Sequence, residues 1–77
     1  MKSNKEILEY LKKLPSTQNK INYDFIEGWS DALNFVFFNQ EEEDEIEHYL
    51  ETHEYDKKEL LTHFNGWIMA YKWLLKD

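Results

Sequence analysis

The sequence predicts an all-α domain, a compact four-helix fold assembled from two copies of one helical hairpin. Apolar side chains recur every three or four residues in four separate stretches, and no stretch sustains the alternation of a β-strand. A pattern is also written twice. The segment FNGWIMAYKWLL at 64–75 is echoed 38 positions earlier by IEGWSDALNFVF at 26–37. Upstream of each, Glu6-Ile7-x-x-Tyr10-Leu11 recurs as Glu45-Ile46-x-x-Tyr49-Leu50, so the two halves align with a single gap.

The first helix is expected over 4–14. Ser3 followed by Glu6 reads as a capping box, Ile7, Leu8, Leu11 and Leu14 fall at helical spacing, and Pro15 stops the run. Ser16 and Thr17 offer caps for a second helix over 18–38, with Ile21, Phe25, Trp29, Leu33 and Val36 on one stripe. Asn39 with Glu42 reads as the start of a third helix over 40–53, whose narrower stripe is Ile46, Tyr49, Leu50 and His53. Asp56 with Glu59 reads as the start of a fourth over 57–76, its core face Leu60, Phe64, Trp67, Ile68, Tyr71, Leu74 and Leu75. Short connections make consecutive helices antiparallel neighbours in one domain spanning 1–77.

Gly28 and Gly66 each precede a Trp inside a helical pattern, where glycine costs about 1 kcal/mol relative to Ala. A glycine retained there lets a backbone or ring approach closely. If the halves repeat one hairpin, the two glycines belong where the two long helices cross.

Composition narrows the function. Three Trp, five Tyr and five Phe in 77 residues supply the burial that so short a chain needs, since there is no cysteine to staple it or ligate a metal through sulfur. Nine basic residues, all Lys, against sixteen acids leave a net charge of −7, which disfavours direct binding of nucleic acid or an anionic membrane and favours a basic protein partner. No apolar run reaches the roughly 20 residues of a membrane span, and MKSNKEILEY lacks the apolar core of a signal peptide. The expected compartment is the cytoplasm, and the expected state is a monomer or homodimer.

The imbalance of charge is local. Through Phe38 five acids meet five Lys; from Glu41 to Asp56 there are nine acids and no Lys or Arg. On a helix Asp44, Glu47, Glu51 and Glu54 form a row with about one carboxylate per 5.4 Å turn, a pitch that can stand in for a phosphate backbone. Acids in a first helical turn complement the macrodipole, which accounts for Glu41, Glu42 and Glu43 without a partner. It does not account for the lack of an interleaved Lys further on. The candidate partner-binding residues are Glu41, Glu42, Glu43, Asp44, Glu45, Glu47, Glu51 and Glu54. A second, apolar candidate interface is Phe38, Met69 and Trp73, which miss the core stripes of their helices. Met69 and Trp73 are expected on an outward face shared with Thr62 and Gly66.

Catalytic and metal motifs are incomplete. Glu45-x-x-His48 has the spacing of one di-iron ligand pair but lacks the second Glu-x-x-His that such a site requires. Glu41-Glu42-x-x-Glu45 resembles the first half of the Mg²⁺-binding pattern of all-α NTP pyrophosphatases, and the later Glu-x-x-Asp is missing. His48, His53 and His63 have no mutual spacing that preforms a zinc site. There is no Cys nucleophile, no Ser in a Gly-rich elbow and no phosphate-cradling glycine loop. No catalytic, cofactor or metal residue is therefore assigned, and a non-enzymatic role is expected.

In size, acidity and aromatic content the chain resembles small accessory proteins of phages and other mobile elements of low-GC bacteria, among them anti-CRISPR and anti-restriction proteins that mimic nucleic acid. The resemblance is one of composition across the whole chain. It implies an inhibitor that lays the carboxylates of Glu41 to Glu45, Glu47, Glu51 and Glu54 into a basic nucleic-acid groove. Only one helix here is strongly acidic, so one face at most could imitate a duplex. The alternative is a structural or regulatory protein that self-associates through Met69 and Trp73.

Overall fold

A computed structural model describes residues 1–13 and 23–76. The four helices are α1 (Asn4–Lys13), α2 (Tyr23–Asn39), α3 (Glu43–Thr52) and α4 (His63–Leu75). Among the described residues there is no strand, and no helix is long and apolar enough to cross a membrane.

The capping box of α1 forms as its sequence predicts. Glu6 N–H donates to Ser3 Oγ at 3.2 Å and Ser3 N–H to Glu6 Oε1 at 3.5 Å, so two amides with no partner inside the helix are each satisfied by the other residue's side chain. Leu14 and Pro15, expected to close this helix, lie outside the described residues, as do 18–22 of the expected second helix.

α2 runs one residue further than expected, and its end corrects the predicted cap of α3. Asn39 is the last residue of α2 and its amide donates to Phe35 O at 2.8 Å. Gln40 then takes a left-handed conformation, φ 51°, and Glu41 N–H donates back to Val36 O at 3.2 Å. That six-to-one bond is a Schellman closure, and it delays the start of α3 to Glu43 rather than 40. Glu42 occupies the N-cap position without a side-chain hydrogen bond.

The larger correction concerns α4, which begins at His63 and not at 57. Asp56 does engage the amides that follow it, accepting from Lys58 N–H at 2.8 Å and Glu59 N–H at 3.3 Å, but in an isolated turn. The fully buried amide of Asn65 explains why the turn does not propagate. Asn65 Oδ1 accepts from Asp56 N–H at 2.8 Å, while Nδ2 donates to the carbonyls of Asp56 at 2.7 Å, Glu59 at 2.9 Å and Leu60 at 3.2 Å. Those carbonyls are thereby withdrawn from a helical ladder. Thr62 supplies the cap instead, its Oγ1 accepting from Asn65 N–H at 3.1 Å. Leu60 consequently sits outside the core at 51% exposure, and Phe64, placed on the core stripe by periodicity, is 37% exposed.

The core joins all four helices through Ile7, Ala32, Leu33, Val36, Ile46, Ala70, Tyr71 and Leu74. Its organisation is that of a repeated hairpin. Ile7 and Ile46 are both fully buried, as are Ala32 and Ala70. Tyr10 stacks on Trp29 with ring centroids 5.7 Å apart, and Tyr49 packs on Trp67 at 6.5 Å. Lys2 N–H donates to Leu74 O at 2.9 Å, the counterpart of Glu41 N–H on Val36 O. The chain thus enters α1 beside the end of α4 as it enters α3 from the end of α2.

α2 and α4 cross at the two glycines, as the echo predicts. A Cβ added to Gly28 would overlap the carbonyl oxygen of His63 and stand 2.7 Å from its carbonyl carbon; one added to Gly66 would overlap Phe25 O and stand 2.9 Å from Trp29 N. His63 and Phe25 are separated by the same 38 positions as Gly66 and Gly28. The two contacts are therefore equivalent across an approximate two-fold axis.

Candidate protein-interaction surface

α3 is anchored by fully buried Ile46, with Tyr49 and Leu50 half-buried beside it. That fixes which way the rest of the helix faces. Glu43, Asp44, Glu45, Glu47 and Glu51 are exposed, as is Glu42 at the N-cap, while Glu41 is half-buried. Asp44, Glu47 and Glu51 keep the expected row along one flank. Glu54 does not extend it as a further helical turn, because α3 ends at Thr52. The termination is local: Thr52 Oγ1 donates to the carbonyls of His48 and Tyr49, both at 3.1 Å, and the His53 ring stacks on Tyr49 at 4.0 Å. His53 thus covers the ring of Tyr49 while remaining exposed.

Among the described residues the close contact between an acidic and a basic side chain joins His63 Nε2 to Asp31 Oδ2 at 2.9 Å, and no lysine is bridged to an α3 carboxylate. Glu43, Asp44 and Glu45 lie in the first turn, where the macrodipole favours them, but the last turn contains Glu51 and no basic residue. Its counterpart α1 ends in Lys12 and Lys13. An open groove of about 530 Å³ runs along α3 between Glu41, Asp44, Glu45, His48, Tyr49 and His53. The surface offers carboxylates and ring edges to a cationic side chain, and at its far end Thr52 Oγ1 lies 2.9 Å from His53 Nδ1.

The three apolar candidates part company. Phe38 is 76% exposed. Trp73 is half-buried, its ring 4.4 Å from that of Tyr10 and covered by Lys2 Nζ at 5.3 Å. Met69 is also half-buried, in a shallow hollow with Trp29, Trp73, Lys72 and Lys76. Gly66, expected on the same outward face, is buried under Phe25 instead. The expectation failed because α1 and α2 cover α4 from a second side.

One constellation was not legible beforehand. Glu27 and Asp31, one turn apart on α2, meet His63 at the start of α4, with one ligand atom of each within 4.8 Å of the others. The carboxylate spacing is visible in the sequence, but the histidine arrives only through the crossing. No family model, curated protein or solved structure matches the chain.

Proposed function

We propose that this chain is a non-catalytic binding protein whose acidic α3 docks on a basic, nucleic-acid-handling partner protein as an inhibitor or nucleic-acid mimic. One observation carries the reading: α1 and α3 hold equivalent places in a repeated fold, yet α1 mixes Lys5, Lys12 and Lys13 with its acids while α3 has no lysine. Packing does not require the acids, because the other copy packs the same way with a balanced helix. Their repulsion is a cost that a binding surface for a basic groove would explain. The compositional resemblance to phage-borne anti-CRISPR and anti-restriction proteins supports an inhibitor acting in a host cytoplasm.

The test is a pull-down from host lysate treated with nuclease, using the native chain and the triple variant Asp44→Lys, Glu47→Lys, Glu51→Lys. A second triple variant, Glu9→Lys, Asp24→Lys, Glu59→Lys, makes the same charge change elsewhere. The partner should be lost by the α3 variant, be kept by the control, and elute as salt is raised. Retention by the α3 variant would sink the proposal.

A further inference from the structure

Glu27, Asp31 and His63 come together beside one of the two close glycine contacts where α2 and α4 cross. Gly28 lies between the two acids in sequence and packs on the backbone of His63, so the three side chains spring from two helices whose separation is fixed there. The equivalent corner across the approximate two-fold axis is formed by Phe25, Asn65 and Met69 around Gly66. That corner packs without a carboxylate or an imidazole. The donor set beside Gly28 is therefore not something the crossing needs in order to form.

We propose that Glu27, Asp31 and His63 form a site for one zinc ion, bridging α2 and α4, with water completing the coordination. Zinc takes imidazole nitrogen and carboxylate oxygen at about 2.0–2.2 Å, which sets tetrahedral ligand atoms about 3.4 Å apart. The three atoms already lie within 4.8 Å of one another, and His63 Nε2 is 2.9 Å from Asp31 Oδ2, so half-buried Glu27 and exposed Asp31 and His63 need move by only about 1 Å to close on an ion. The imidazole selects zinc over magnesium or calcium, which favour all-oxygen shells. The site is independent of the acidic face of α3.

Calorimetric titration of the full chain with zinc chloride tests this, alongside thermal unfolding followed by circular dichroism. The native chain should bind one equivalent saturably and unfold at a higher temperature with zinc, reversibly on adding chelator. His63→Gln and Asp31→Asn should each weaken binding by roughly tenfold or more while keeping native helicity. A His48→Gln, His53→Gln double variant should bind as the native chain does. Absence of saturable binding, a titration unchanged in His63→Gln, loss in the His48, His53 variant, or equal binding of magnesium would each overturn the assignment.

Discussion

Gly28 packs directly on the backbone carbonyl of His63, and Gly66 repeats the contact on Phe25. Two effects oppose each other when either glycine becomes Ala. Helix propensity favours Ala by about 1 kcal/mol, whereas a methyl group overlapping a carbonyl oxygen must push two helices apart. Backbone cannot swing away as a side-chain tip can, so the steric effect wins. Gly28→Ala and Gly66→Ala should each destabilise the fold by about 2–3 kcal/mol in urea unfolding. Stabilisation by either variant would show that the helices do not cross at this distance.

Asn65 is the second point on which the fold turns. Its amide ties the connection before α4 to the helix through four hydrogen bonds with Asp56, Glu59 and Leu60. Asn65→Ala leaves Asp56 N–H without its acceptor and should cost about 2–4 kcal/mol. Asn65→Asp keeps the acceptor but sets a negative charge against three carbonyls, and should be no better. Amide hydrogen exchange gives a local readout: Asp56 N–H should lose its protection in both variants before the helices do.

The glycine crossing and the Asn65 clamp mark what the sequence makes legible and what it does not. The crossing was legible because both glycines break helix propensity at matching places in an echoed pattern, and repetition implies symmetry. The clamp was not, because Asp56 and Glu59 carry the same local signature whether they open a helix or a turn. Tertiary bonds from a residue nine positions later decided between them. The acidic face was legible as composition, while the meeting of His63 with Glu27 and Asp31 depended on a crossing angle that no local pattern encodes.

Glu47 separates the acidic face from the needs of the fold. It has Glu43 one turn before it and Glu51 one turn after it, all three exposed. Glu47→Lys converts two repulsive i,i+4 pairs into attractive ones, so at low salt stability should rise by about 0.5–1 kcal/mol, and by less as salt screens the pairs. The same variant should weaken partner binding. Opposite signs on stability and affinity are what a surface kept for recognition gives; a loss of stability would mean that the acid has a structural partner.

Tyr71 makes the fold sensitive to alkali. Burial holds its hydroxyl above the usual phenol range, and burial raises Tyr10 and Tyr49 in the same direction. Below about pH 10 the folded and unfolded chains both keep these protons, and stability is unaffected. Above it the unfolded chain ionises while the folded one does not, so the unfolded state binds fewer protons and stability falls as pH rises toward the folded values. Tyr71→Phe should unfold at a higher pH than the native chain when tyrosinate absorbance and helicity are followed together. An unchanged midpoint would place the alkaline weakness in Tyr10 or Tyr49 instead.

Trp73 and Phe38 separate a role in folding from a role in self-association. The Trp73 ring lies 4.4 Å from that of Tyr10, so truncation removes a contact between α4 and α1. Trp73→Ala should cost about 2 kcal/mol of stability, less than a fully buried Trp would. Phe38, at 76% exposure, has little to lose, and Phe38→Ala should change stability by no more than about 0.5 kcal/mol. Sedimentation equilibrium supplies the second axis. If Trp73 acts through the fold alone, its variant unfolds earlier and has the same mass as the native chain. A native dimer that Trp73→Ala splits without loss of helicity would transfer function from α3 to this face, and a dimer split by Phe38→Ala alone would place the contact at the exposed end of α2.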